Sequence, residues 1–426
     1  MFSTQVGAQN TKLLNARQTD ANAPFYSRQQ AVVEQNTTYT LNTDFSFTAI
    51  AVSVGSSVQM EGAYLVIQQD TLFLHEDEHQ EEGAALKQSQ LHIFEQPRSS
   101  YTLYTAELSG DVYFTLVNAE RGKMGARAQL QNFNKATQTA ADEACAQPPI
   151  VRTSIWREGL PEPSYNRAET SVKHVIVHHS AGSNTSTDYL NTVRNIYLFH
   201  TQERGWSDIG YNYLIAQDGT IFQGRSFSDD QRDNDDVRGA HFCGQNSGTM
   251  GVCMLGNYNT AVPTDTSVAS LSQLISWKLY KDDLDPLASY THPANSNLGV
   301  IAGHRNGCAT ECPGDNLYAM LDEIRLSVNE KLVLGCQEEE EEEKEPLVFN
   351  LYPVPAQGQL TVVLPEEQLP QTFRLINEAG KAFEVDAYFD GEGEAWLVDT
   401  NGLASGMYIL QVNGQGFEEK QKILLH

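Results

Sequence analysis

Between Glu338 and Glu345 every residue except Lys344 is a glutamate. A run of like charges repels itself and stays extended and solvated, so no packed core can run through it. The chain is thereby forced into separate bodies on either side of an acidic linker at 337–346. With 426 residues in all, the part upstream is itself too long for one ordinary domain. Hydrophobic residues make up 40% of the chain, enough for packed cores rather than general disorder. The 28 basic and 55 acidic residues leave a net charge of −27. That argues against a nucleic-acid partner, since phosphate binding needs concentrated Lys and Arg. No apolar run approaches the length of a bilayer span, so no transmembrane segment is expected. Met1–Gly7 carry neither a basic region nor an apolar core, so no signal peptide is visible.

Residues 1–25 are polar and are expected to be a disordered N-terminus. Over 26–135 short runs rich in β-branched and aromatic residues recur: Phe45–Val52, Ala63–Ile67, Thr71–Leu74, Leu91–Phe94 and Val112–Val117. Gly, Ser and Asp separate them, which predicts an all-β, sandwich-like domain whose role the sequence does not give. The acidic stretch His75-Glu76-Asp77-Glu78-His79 reads as a solvated turn, because adjacent acidic side chains do not converge on an ion unaided. The Ala-, Gln- and Asn-rich residues between 119 and 150 read as a connection, with the linker itself set at 136–150.

From 151 to 336 strand and helix patterns alternate. Lys173–Val177 reads as a strand. Thr187 and Asp188 can cap a helix carrying Leu190, Val193, Tyr197 and His200 on one face, and Gly205 can end it. Asp218-Gly219 signals a hairpin, and Gly251–Leu255 a buried strand. Two further helices are expected, from about Val268 to Lys281 and from Asn316 to about Lys331. Such alternation predicts an α/β domain with a mixed sheet covered on its faces. From 347 to 426 the pattern is again β, as expected of a small β-sandwich.

Chemistry concentrates in two places far apart. Val175-Ile176-Val177-His178-His179-Ser180 ends an apolar run in paired histidines, and Gly303-His304-Arg305 is followed by Glu311-Cys312-Pro313-Gly314. Two imidazoles and one thiolate suffice to hold Zn²⁺ and leave its fourth position open, which separates a catalytic zinc from a structural one. From the residues alone either His178 or His179 can be the ligand, since strand side chains alternate between faces.

The segment from about Trp156 to Leu334 resembles the zinc-dependent N-acetylmuramoyl-L-alanine amidases of the peptidoglycan recognition protein type. The pieces that carry the resemblance are His178-His179-Ser180, Gly205-Trp206-Ser207-Asp208-Ile209-Gly210-Tyr211, Asp218–Arg225, Gly239-Ala240-His241, Met250–Tyr258 and Gly303-His304-Arg305 with Glu311–Gly314. The resemblance implies zinc ligands at His178, His304 and Cys312. It implies that Tyr211 contacts the reacting water or oxyanion and that Thr310 has an oxyanion- or water-positioning role. His241 is expected to line the substrate groove, and Asn246 and Arg305 to contact glycan or peptide. Family members with Ser in place of the cysteine only bind, so Cys312 favours hydrolysis. The alternative is a non-catalytic protein that binds peptidoglycan or muropeptides, and a further one is an adhesin whose activity lies in residues 26–135.

If Cys312 holds zinc, five cysteines remain. Cys145 and Cys336 flank the amidase-like segment, and a disulfide between them would clamp its ends. The pairing of Cys243, Cys253 and Cys308 is open. In the tail, Leu351–Ala356, Asn377–Lys381, Leu403–Tyr408 and Lys420–Leu425 resemble the C-terminal sorting domain of type IX secretion cargo. That implies the type IX secretion machinery as a partner and a secreted or surface location on a Gram-negative bacterium. The expectation is then that a leader was omitted or the start mis-set.

Overall fold

The computed structural model describes residues 11–78, 84–137, 145–164, 167–227, 234–334, 350–364, 370–391, 395–414 and 417–426. Two compact units emerge, Met1–Cys336 and Gln337–His426. The acidic run itself lies outside the described residues.

Among the described residues the first unit holds two large sheets and a two-stranded ribbon, Ser289–His292 with Asn295–Gly299. The N-terminal one has nine strands. Its long strand Thr38–Gly55 pairs with His92–Tyr104 and, toward its end, with Gly110–Val117. The expected sandwich is therefore one continuous hydrogen-bonded sheet, because a single long strand serves both halves. It encloses Phe47, Val52, Leu65, Leu103, Phe114 and Leu116. Two strands, Lys12–Leu13 and Arg17–Asn22, form within residues expected to be disordered. Both are exposed along their length, and pairing at a sheet edge needs no apolar face.

The stretch read as a connection contains a helix, Lys123–Thr137. Its Ala126, Leu130 and Phe133, spaced i, i+4, i+7, pack on the cluster that joins the two sheets. That cluster mixes Ala49 and Val117 of the first sheet with the helix residues Trp156, Leu190 and Val193 and with Leu214 of the second sheet. At its centre Arg194 is fully buried and donates to the carbonyls of Ala119 at 3.0 Å, Trp156 at 2.6 Å and Glu158 at 3.0 Å, and to that of Arg121. One guanidinium thus stitches residues 119–121 to 156–158.

The central sheet has six strands in the order Ile150–Val151, Ile221–Gln223, Tyr213–Ile215, Thr249–Met254, His174–His179, Ile301–Gly303. The last two and Thr249–Met254 run parallel. Every residue of His174–His179 and of Thr249–Met254 is buried, as parallel strands covered on both faces must be. Val175 and Val177 face the helices Asp265–Lys281 and Leu321–Leu334. The other face is turned toward the helix Tyr189–Leu198, whose N-cap is Asp188, accepting from the Asn191 N–H at 3.1 Å. The expected final helix is two pieces, Asp315–Ala319 and Leu321–Leu334.

Among the described residues the second unit has eight strands around Leu360, Val362, Leu375, Val398, Leu410 and Val412. Among the described residues no helix is long and apolar enough to cross a membrane.

Candidate metal centre

Parallel α/β sheets bind ligands beyond the carboxyl ends of their strands. His178 lies at that end of His174–His179, and His304 follows directly on Ile301–Gly303, the neighbouring parallel strand. Cys312 comes from the loop that returns past them, where the Arg305 N–H donates to the Cys312 carbonyl at 3.0 Å. The result is that one donor atom from each of His178, His304 and Cys312 lies within 4.8 Å of the other two, and all three residues are buried. The Nδ1 of His178 is 3.7 Å from the Cys312 Sγ. Zinc bonds of about 2.0–2.3 Å give tetrahedral edges of roughly 3.3–3.8 Å. The donor set and this spacing therefore fit a zinc ion.

His179, its side chain alternating to the other face, does not join them. Its backbone N–H donates to the Cys312 Sγ at 3.3 Å, a bond that favours thiolate. Its Nδ1 accepts from the Tyr258 N–H at 3.2 Å, which leaves Nε2 to carry the proton toward Glu78 Oε2 at 3.1 Å. Burial pushes the Cys312 thiol well above its ordinary value, while the His179 N–H pulls it down. A bound dication reverses the effect of burial.

Behind His178 stands a chain of oriented bonds. His178 Nε2 is 3.0 Å from His241 Nδ1, and His241 Nε2 is 3.4 Å from Thr249 Oγ1. Thr249 Oγ1 spends its own proton on the Asn246 carbonyl at 3.0 Å, so it accepts from His241. His241 then accepts from His178, which fixes the tautomer that frees His178 Nδ1 for a metal. Burial, with Arg225 nearby, lowers the His241 pKa to about 3, so the ring stays neutral. His241 is thus buried behind His178. Gly251 makes room for it: a Cβ there would lie 2.5 Å from the His241 ring.

Tyr211 sits with its ring 5.3 Å from that of His178. Burial, with the Cys253 and Cys312 thiols nearby, holds its pKa well above the ordinary phenol value. Thr310 Oγ1 accepts from the Cys312 N–H at 3.1 Å, bracing the ligand loop. Asn246 Oδ1 accepts from the N–H groups of His241 and Phe242 at 2.7 and 2.9 Å. Arg305 pairs with Asp315 at 2.7 Å, donates to the Glu311 carbonyl and lies over the Tyr318 ring. Both of these side chains are thus engaged with their own loops.

Of the cysteines, Cys243 and Cys308 form a disulfide, while Cys253 is free and buried. Cys145 is disulfide-bonded; its expected partner Cys336 lies outside the described residues. What the sequence reading missed is the acidic stretch after Phe73. It is no solvated turn: Asp77 pairs with Arg204, and Glu78 meets His179 and, at 3.3 Å, the amide of Asn259. His79 lies outside the described residues. The signal was absent because the partners are more than a hundred residues away.

Comparison with known proteins places residues 168–315 in the N-acetylmuramoyl-L-alanine amidase family model. Residues 350–426 match the secretion system C-terminal sorting domain. Peptidoglycan-recognition protein SC2 of Drosophila simulans is 32% identical over 204 residues, covering 46% of this chain and 98% of that protein. Peptidoglycan recognition protein 1 of Bos taurus is 31% identical over 177 residues, covering 41% of this chain and 83% of the relative. The solved structure of wild-type Drosophila PGRP-LB shares 31% identity, covers 41% of this chain and 92% of its own, and has a TM-score of 0.33.

Proposed function

This chain belongs to the family of N-acetylmuramoyl-L-alanine amidases and peptidoglycan recognition proteins, and from that premise we propose that it hydrolyses the amide between N-acetylmuramic acid and L-alanine in peptidoglycan. The observation that carries the reading is the convergence of His178, His304 and Cys312 within 4.8 Å of one another. A zinc ion held by them supplies a Lewis acid for the scissile carbonyl and lowers the pKa of water toward neutrality.

The remaining work falls to the chain. Tyr211 stays protonated and acts as a hydrogen-bond donor where negative charge develops on the reacting oxygen. Thr310 keeps Cys312 in place and retains its hydroxyl proton for the same region. His241 holds His178 in the ligating tautomer, and the His179 N–H supports the thiolate. Asn246 fixes the loop that presents His241, and Arg305 fixes the one that presents Cys312. The sorting domain at 350–426 supports export by type IX secretion and a secreted or cell-surface location, where peptidoglycan or muropeptides are within reach.

A binding-only protein is the second reading, favoured by the recognition proteins among the relatives. Chromatography of digested peptidoglycan separates the two. Hydrolysis releases stem peptides with a free L-alanine amino group, and Cys312→Ser abolishes that release. If the wild-type protein, loaded with zinc, releases no stem peptide, the hydrolytic reading fails.

A further inference from the structure

Between the N-terminal sheet and the loop 181–186 lies a cleft of about 900 Å³. That loop continues directly from the strand that carries His178. On the opposite wall, the strand Asp70–Phe73 leads along the cleft to Glu78, which reaches His179 and Asn259. The cleft is therefore lined on one side by the loop that leaves the strand of His178, and its other wall comes from outside the amidase sheet.

Its lining is amphipathic and nearly balanced in charge. Hydroxyl and amide groups of the loop 181–186 face a wall bearing the Phe73 ring, 52% exposed, and the aliphatic surface of Leu72. On that wall His92 Nε2 and Arg98 Nε are buried with no hydrogen-bond partner among the described residues. Both side chains also line the cleft. The occupant must offer hydroxyl and amide edges together with apolar faces, and must carry little charge. A carboxylate-rich peptide would meet Arg98 but also the acidic Asp70 and Glu95, so it suits the lining poorly.

The geometry points to a glycan subsite: the cleft binds the polysaccharide strand of N-acetylated sugars that flanks the residue whose amide is cut. The N-terminal sheet thereby becomes one wall of an extended substrate groove. This rests on peptidoglycan being the substrate of the metal centre.

The test is isothermal titration of the full-length zinc-loaded protein with peptide-free glycan strands prepared from sacculi. The probe lacks the scissile amide, so binding is read without turnover and independently of hydrolysis. Wild type is expected to bind, and Phe73→Ala and His92→Ala each to weaken binding at least tenfold, in protein shown by circular dichroism to be folded at the assay temperature. Because each removes a different wall contact, one misfolded variant does not spoil the test. Three results overturn the subsite: no binding by wild type, equal binding by both folded variants, or displacement of the glycan by free stem peptide. Stem-peptide release from intact sacculi, assayed alongside, reports on the amidase reading alone.

Discussion

Replacing Gly251 by alanine tests the outer support of the metal centre without touching a ligand. A Cβ at 251 would lie 2.5 Å from Cγ and Cδ2 of His241 and 2.8 Å from its Nδ1. Carbon contacts settle near 3.5 Å, so the ring must retreat by roughly 1 Å. The Nδ1 of His241 is 3.0 Å from His178 Nε2. A shift of that size takes the pair to about 4 Å, beyond hydrogen-bond reach. Loss of such an outer contact on a ligating histidine weakens metal binding by about 10–100-fold, or roughly 1.4–2.8 kcal/mol. Competition for zinc against a chromogenic chelator reads this directly. Melting of the metal-free proteins is compared in parallel, because overpacking alone costs about 1–3 kcal/mol. A Gly251→Ala protein that holds zinc within twofold of wild type would refute the idea that His241 positions His178.

Arg194→Met leaves four backbone carbonyls facing a buried gap. It is expected to destabilise the first unit by about 3–5 kcal/mol in urea titrations, and a loss below about 1 kcal/mol would show that the clamp carries little. Acid stability tests His92, whose pKa falls from the usual 6.5 to about 4 through burial, with His75 adding to it. The unfolded chain takes up this proton below about pH 6.5 while the folded chain refuses it, so stability falls as pH drops toward 4. Between pH 7 and 4.5 the loss from this group is about 2 kcal/mol. His92→Gln should show that much less acid destabilisation, and identical pH profiles would contradict the assignment.

The three candidate ligands were legible because each lies in a short motif whose neighbours are also distinctive: paired histidines ending an apolar run, and Gly-His-Arg followed by Cys-Pro-Gly. Strand alternation alone left His178 and His179 equivalent; resemblance favoured His178, and the fold turns His179 toward Glu78 and Tyr258. The supporting residues were less legible because their roles arise from packing. Nothing near His241 in sequence says that its partners are His178 and Thr249. Asp77 and Glu78 read as solvent-facing because local charge density was the only cue, and Arg204 and His179 are distant in the chain. The helix Lys123–Thr137 was hidden by its polar composition, although the spacing of Ala126, Leu130 and Phe133 was there to be read. Cys243 and Cys308 could not be paired until the fold brought their loops together.

X-ray absorption at the zinc edge, on protein purified without added chelator, examines the donor set itself. The expected result is about one zinc per chain, with one sulfur at about 2.3 Å and nitrogen scatterers at about 2.0–2.1 Å, and loss of the sulfur shell in Cys312→Ser. A shell of nitrogen and oxygen alone in the wild-type protein, or protein that takes up no zinc, would contradict the account.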